Sequence, residues 1–287
     1  MDNLFDSIYK NKRVLITGNT GFKGTWLTYW LLKMGAIVKG LSLEPNTKPN
    51  HFSLLNLDIE TDFININNYS NLKKSINNFK PEIIFHLAAQ PIVRYSYNHP
   101  IETFNTNIIG TANIFEVSKN LKTLRAIVNI TTDKCYENKE INYGYKETDP
   151  LGGFDPYSAS KACSEIVTSS YRNSYFNISE YNKKHTVLIA SARAGNVIGG
   201  GDWSEDRLIP DIIKAAHNNS KSIVRSPNSV RPWQHVLEPL TGYLLLGQKL
   251  LQGEKKFADA WNFGPSENEF CSVEEVLNIA NKYWRKI

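Results

Sequence analysis

The 287 residues carry 33 Lys and Arg against 28 Asp and Glu, a formal net charge of +5, with 41% hydrophobic and 21% charged residues. This is the composition of a soluble globular chain with ample apolar material for a sizeable core, and no disordered, collagenous or membrane-spanning class is expected from it. The basic residues are dispersed among acidic ones without a long run, so a nucleic-acid partner is not expected either. The longest apolar stretch, Leu240 to Leu251, is too short and too polar for a bilayer, and the N-terminus lacks a signal-peptide pattern, so no membrane partner and a cytoplasmic setting are expected. Cys135, Cys163 and Cys271 lie far apart without zinc or disulfide spacing, which points to reduced thiols and no metal.

Along the chain, the β-branched run Arg13 to Ile16 leads into Thr17-Gly18-Asn19-Thr20-Gly21-Phe22-Lys23-Gly24. A helical pattern follows (Trp26, Leu27, Trp30, Leu31, Met34), stopped by Gly35, and Ala36 to Leu41 reads as a second strand, making a βαβ unit. Asn65 to Asn78 keeps helical spacing at Tyr69, Leu72 and Ile76. Apolar runs at Ile83 to Leu87, Ala126 to Ile130 and Val187 to Ala192 alternate with helical segments at Asn105 to Lys119 and Pro156 to Tyr175. That alternation predicts an α/β fold with a doubly wound parallel sheet of Rossmann type over residues 1–192, with 230–262 returning to it. Beyond Asn196, loops such as Gly199-Gly200-Gly201-Asp202-Trp203 and Arg231-Pro232-Trp233-Gln234-His235 lie between short helices, so 193–229 and 263–287 are expected to form a smaller substrate lobe. Its last helix begins at Val273 and reaches the final residue, so the lobe is expected to be incomplete at its C-terminus.

Two constellations carry chemistry. Gly18, Gly21 and Gly24 sit at the turn between the first strand and helix, where backbone N–H groups approach a pyrophosphate and the helix N-terminus complements its charge. Their spacing differs by one residue from the usual Gly-x-Gly-x-x-Gly. Ser42 ends the second strand with Glu44 just beyond, so the usual carboxylate rule leaves NAD and NADP unresolved. Further on, Asp155 suits an N-cap and Pro156 a first helical position, which puts Tyr157 in the first turn and Lys161 four residues later on the same face. An ammonium and the positive end of a helix dipole would both favour phenolate, so the Tyr157 pKa is expected to fall. By itself, Thr131-Thr132-Asp133-Lys134 after the apolar strand Ala126 to Ile130 reads first as ordinary turn chemistry at a strand end.

The glycine turn followed by Tyr157 and Lys161 resembles the extended short-chain dehydrogenase/reductase superfamily. Within it, Thr17 to Trp26, Leu87 to Arg94, Asp133 to Tyr136, Arg193 to Trp203 and Arg231 to Pro239 are similar to the CDP-glucose 4,6-dehydratases, from about Lys12 to the last residue. The resemblance implies tightly held NAD, a CDP-hexose substrate and a homodimer built on a four-helix bundle from the helices starting at Asn105 and Pro156. It implies that Tyr157, supported by Lys161, takes the proton of the sugar 4-hydroxyl. Thr132 would hydrogen-bond the 4-oxygen, Asp133 would be the acid at C6 and Lys134 the base at C5, the elimination chemistry that an epimerase lacks. A lysine base must be neutral, so Lys134 is expected to be partly desolvated or near other cations.

The same resemblance places Thr20 and Phe22 with the glycines at the cofactor, Leu87, Ala88 and Ala89 beside the nicotinamide ribose, and Asn107 in the helix behind the active site. Arg94 is carried over to the sugar or phosphate, and Arg193, Asn196 and Arg231 to the CDP pyrophosphate. Where the superfamily has an adenine-binding Asp, this chain has Asn65, whose amide oxygen is able to accept the same hydrogen bond. Two alternatives stay open: a 4,6-dehydratase for another nucleotide sugar, and an inactive, truncated NAD-binding module.

Overall fold

The computed structural model describes residues 3–139, 141, 143–221, 224, 226–266 and 270–284; the expected continuation of the last helix over 285–287, and parts of the expected substrate lobe at 222–223, 225 and 267–269, lie outside them. In chain order the elements are β1 (Arg13–Thr17), α1 (Phe22–Lys33), β2 (Ile37–Ser42), α2 (His51–Leu55), β3 (Glu60–Phe63), α3 (Tyr69–Phe79), β4 (Ile83–His86), α4 (Val93–Asn98) and α5 (Pro100–Phe104). A π-helical turn at Asn105–Ile109 carries α5 into α6 (Gly110–Ser118), followed by β5 (Ala126–Ile130), α7 (Pro156–Ser174), β6 (Leu188–Ala194), β7 (Val197–Ile198) and α8 (Leu208–His217). Then come β8 (Val230–Arg231), β9 (Gln234–His235), α9 (Leu237–Leu251), β10 (Ala260–Phe263), β11 (Cys271–Ser272) and α10 (Val273–Tyr283).

Seven strands make one sheet in the order β10-β6-β5-β4-β1-β2-β3, every pair parallel. The order reverses between β1 and β4, the switch point where a crevice opens beyond the strand ends. Alternation along the strands builds the two layers. Val14, Ile16, Phe85, Val128 and Ala190 face one core with Leu27 and Leu31 of α1 and Leu240 and Leu244 of α9. Leu15, Ile84, Ile127 and Ile189 face the other with Leu72 and Ile76 of α3 and Ile114 and Phe115 of α6. β6 continues through Ala194, past the boundary expected at residue 192. The two-stranded pieces β7–β9 and β11–β8 lie beyond the strand ends with α8 and α10. No helix among the described residues is long and apolar enough to cross a membrane.

A buried polar seam ties the central strands to the helices. The Thr17 hydroxyl lies 2.7 Å from His86 Nδ1, His86 Nε2 lies 3.1 Å from the Thr111 hydroxyl, and the Asn129 amide donates to Ser164 and Thr168 at 3.2 and 2.8 Å. Both nitrogens of His86 are thus partnered, and burial, helped by Lys161, pulls its pKa from 6.5 to about 3. A neutral imidazole in the fold that must charge when unfolded contributes stability above pH 6.5, which is lost as the pH falls toward 3. Thermal unfolding across that range should therefore fall off more steeply for the native chain than for His86→Gln, whose amide is able to hydrogen-bond the two threonines but does not titrate. Equal slopes would rule the imidazole out as a source of the acid sensitivity.

Candidate active site

At the switch point the ends of β1, β2, β4, β5 and β6 open onto a cleft of about 960 Å³. At its floor is the glycine turn. Gly18 has φ of +73°, and a Cβ there would lie 2.8 Å from the Ala88 nitrogen; a Cβ on Gly24 would lie 2.1 Å from the Gly18 carbonyl oxygen. Gly18 lets the turn close on Leu87 and Ala88 after β4, and Gly24 lets α1 close on the turn, with the first residues of α1 lining the cleft. Thr20 and Ser42 share a 2.7 Å hydrogen bond beside it, and Phe22, Gly21, Leu87, Ala88 and Ala89 complete this end of the lining.

The opposite wall is built by β5 and α7. After Ile130 the chain turns through a single 3-10 turn, Asp133–Cys135, capped by Thr132, whose hydroxyl accepts from the Lys134 N–H at 3.3 Å and donates to Asp133 Oδ1 at 3.0 Å. α7 begins with the capping box of Asp155 and Ser158 and with Pro156 in its first turn, as the residue types predict. Tyr157 is 8% exposed, its N–H donating to the Ser96 hydroxyl of α4 at 3.2 Å, and Lys161 is buried with its ammonium donating to the Ile130 carbonyl at 3.4 Å. Thr132, Asp133, Lys134, Tyr157 and Lys161 thus line one cleft.

Burial dominates the electrostatics. It lifts the Asp133 carboxyl above the usual carboxylate range, against the Thr132 hydrogen bond and the charges of Lys134 and Arg231. It draws Lys161 down to about 8, opposed by Glu165. Contrary to the expected lowering, Tyr157 is pushed up to about 12, because desolvation outweighs the Thr132 hydrogen bond and Arg207. Of the two settings expected for Lys134, partial desolvation or nearby cations, the first is not met in the free protein, where it is exposed at the cleft rim.

Other residues fall differently from expectation. Arg193 is not at the cleft: it is 4% exposed within β6 and ion-paired with Glu165 at 2.9 Å, so its fork is committed inside the fold. Asn107 sits in the π-helical turn behind the wall, where its amide accepts from the Gln90 N–H at 2.8 Å and donates to the Gln90 carbonyl at 3.1 Å and the Ser160 hydroxyl at 2.8 Å. Asn65 lines the cleft, but its amide oxygen accepts from the Asn67 N–H at 2.9 Å. Arg94 lines it too and pairs with Asp206 at 2.7 Å, bridging the two sides. Asn196 and Arg231 complete the far end. The structure adds Lys23 and Arg207. Lys23 stands between Gly21 and Gly24 and donates to the Tyr243 hydroxyl at 3.3 Å. Burial, with Arg207 and Lys161, draws its pKa to about 7. A lysine inside the glycine turn was a visible signal; Arg207, brought in by the chain fold alone, had none.

A family model described as GDP-mannose 4,6 dehydratase matches residues 15–284. The chain belongs to the GDP-mannose 4,6 dehydratase family. It is 50% identical over 280 residues to a CDP-glucose 4,6-dehydratase of Salmonella typhimurium, covering 97% of this chain and 78% of that protein. It is 30% identical to a dTDP-D-glucose 4,6-dehydratase of Dictyostelium discoideum, over 94% and 62% of the two chains. Among solved structures, an epimerase of Methanothermobacter thermautotrophicus superposes with a TM-score of 0.83 at 23% identity, covering 99% of this chain and 80% of that one. A dTDP-glucose 4,6-dehydratase from Streptomyces venezuelae with NAD bound does so at 0.78 and 20%, covering 94% and 80%. At Gly18 and Gly24 the glycine turn of this chain has room only for backbone. Gly24→Ala should therefore destabilise the fold by roughly 1–3 kcal/mol from overpacking and abolish calorimetric binding of NAD. An alanine variant that binds NAD normally would mean that the close approach of α1 to the turn does not serve the dinucleotide.

Proposed function

We propose that the protein converts CDP-glucose to CDP-4-keto-6-deoxyglucose and water, a cytoplasmic step in the biosynthesis of deoxysugars for surface polysaccharide such as O-antigen. The observation that carries this is the convergence of Thr132, Asp133 and Lys134 with Tyr157 and Lys161 on one cleft, in a chain 50% identical to the Salmonella enzyme. Gly18, Thr20, Gly21, Phe22 and Gly24 would hold NAD, which when bound would supply the hydride acceptor at C4 and the donor at C6, so that the net change in the sugar would be loss of water.

Within this frame each side chain has one task. Tyr157 takes the proton of the 4-hydroxyl while Thr132 hydrogen-bonds the 4-oxygen. A phenol held near 12 needs a cation to yield its proton; the charge of Arg207 acts in that direction, and Lys161 lines the same cleft one turn along α7. The ketone then acidifies the C5 proton, which Lys134 removes. Lys134 is exposed at the cleft in the free protein, where an incoming sugar is able to reach it. Asp133, held toward its protonated form by burial, delivers a proton to the departing C6 hydroxyl, which leaves as water; Lys134 returns its proton to C5 as C6 is reduced, and the proton taken by Tyr157 offsets the one Asp133 gives. Asn196 and Arg231 serve the pyrophosphate, and Arg94 exchanges Asp206 for the anionic substrate. Leu87, Ala88, Ala89, Ser42 and Asn65 line the remaining cofactor path, with Asn107 bracing the wall from behind.

Acid and base separate experimentally in heavy water. With Lys134→Met, product formation should drop about 10²–10⁴-fold, and recovered CDP-glucose should carry no deuterium at C5. With Asp133→Asn, product should drop comparably while C5 still acquires deuterium, because the base remains. Tyr157→Phe should give neither product nor exchange. Deuterium at C5 with Lys134→Met would sink the assignment of the base, and faster turnover of dTDP-, UDP- or GDP-glucose than of CDP-glucose would move the substrate to another nucleotide.

The protein is further proposed to act as a homodimer through a four-helix bundle. Supporting this, the paired helices α5–α6 and α7 leave Ile101, Ile109 and Ile166 in solvent, at 69%, 51% and 56% exposure. Sedimentation at micromolar concentration should give a dimer, with Ile109→Lys and Ile166→Lys together giving a monomer. A native chain that sediments as a monomer would exclude the bundle.

A further inference from the structure

Behind the catalytic wall lies an ion pair that the chemistry above does not use. Glu165 of α7 and Arg193 of β6 are 3% and 4% exposed and 2.9 Å apart. Burying two charges costs more than a well-packed apolar pair would, so their other contacts matter. The Glu165 carboxylate accepts from the Thr131 hydroxyl on one oxygen, and on the other from the Ser191 hydroxyl at 2.7 Å and from Arg193. Arg193 spends its second terminal nitrogen on the Tyr136 hydroxyl at 2.7 Å and the Glu147 carbonyl at 3.2 Å. Tyr136 passes its own proton to Asn262 of β10 at 2.7 Å and stacks on Tyr145 with ring centres 5.1 Å apart.

The two anchored residues flank the elimination machinery. Thr131 immediately precedes Thr132, Asp133 and Lys134; Tyr136 follows them after Cys135. Thr131 is tied to β6 by its N–H as well, which donates to the Ala192 carbonyl at 2.8 Å. Two residues beyond Arg193, a Cβ on Gly195 would stand 3.0 Å from Asp133 Oδ2, so the same stretch of β6 also abuts the acid directly.

We propose that the buried Glu165–Arg193 pair is the positioning device of the elimination step, gripping Thr131 on one side and Tyr136 on the other so that Asp133 and Lys134 meet the sugar at fixed places. Glu165 and Arg193 are positioning residues, acting through the two anchors, and the inference rests on the dehydratase reading above. Glu165 lies one turn beyond Lys161 on α7, so the helix that presents Tyr157 and Lys161 to the sugar also carries the grip on the acid and base. One rigid element thereby sets the oxidation and elimination groups relative to each other.

The test leaves the ion pair intact and cuts its two attachments, through Thr131→Val and Tyr136→Phe. Each should lower kcat for CDP-glucose by about tenfold to a hundredfold, the scale on which displacing a reacting group by an ångström acts. KM should stay within about twofold, and thermal stabilisation by NAD should be unchanged. The pH limb of kcat governed by Asp133 should shift, and Thr131→Ser, which keeps the hydroxyl, should restore native turnover. Native kcat and pH profile in both variants would overturn the proposal, as would a loss carried equally by KM and NAD stabilisation, or by Thr131→Ser to the same extent as Thr131→Val. Lys134→Met run alongside keeps the two levels apart. Normal turnover in that variant removes only the assignment of the base, failure of the native chain to dehydrate CDP-glucose removes the dehydratase assignment itself, and native turnover in Thr131→Val and Tyr136→Phe removes only the positioning role.

Discussion

All seven strands of the main sheet run in one direction, and that constraint decides where everything else in the molecule can be. Parallel strands put every carboxyl end on the same edge, and the reversal of order between β1 and β4 parts the flanking helices there. The glycine turn after β1, Leu87 to Ala89 after β4, Thr131 to Lys134 after β5 and Asn196 after β6 reach the same cleft for this reason. None of these segments is near another in sequence.

Holding that edge in register falls to polar groups taken out of water. Thr17, His86, Thr111, Ser164, Asn129 and Thr168 form a buried chain of contacts from β1 through β4 and β5 to α6 and α7. An apolar interface tolerates small slips at modest cost, but a buried hydroxyl or amide that loses its partner forfeits its desolvation energy as well. The Glu165–Arg193 pair applies the same rule with full charges, at the place where the strand ends must be most exact. Burial also tunes the groups facing the cleft: it raises Asp133 and Tyr157 and lowers Lys161 and Lys23, each toward its neutral form. For Asp133, Lys161 and Lys23 the shift is toward the range in which a group both accepts and returns protons, whereas Tyr157 moves away from it and relies on its neighbours to release its proton.

The places where residue patterns misjudged the site share one cause. Arg193 looked like a phosphate ligand because its residue type and neighbourhood suited one, but strand alternation turned it inward against Glu165. The phenolate expected at Tyr157 followed from a neighbouring ammonium and a helix dipole, both local; desolvation by the rest of the cleft is larger and was invisible in a short window. Lys134, expected to be partly desolvated or near other cations, stands exposed at the rim. Asn65 keeps its place along the cleft while spending its amide oxygen on its own turn.

By itself, then, the sequence determined what depends on short-range order. The βαβ unit and its glycines, the capped start of α7 with Tyr157 and Lys161 one turn apart, and the apolar runs that become β4, β5 and β6 all follow from backbone sterics, capping and periodicity acting over a few residues. Only the tertiary structure decided which charges face the cleft and which face each other, that Arg207 joins the site while Arg193 leaves it, and how far each titratable group moves. Those outcomes depend on how much water is excluded and which partner stands across a gap of about three ångströms. Both are set by segments distant in sequence, so no local pattern encodes them.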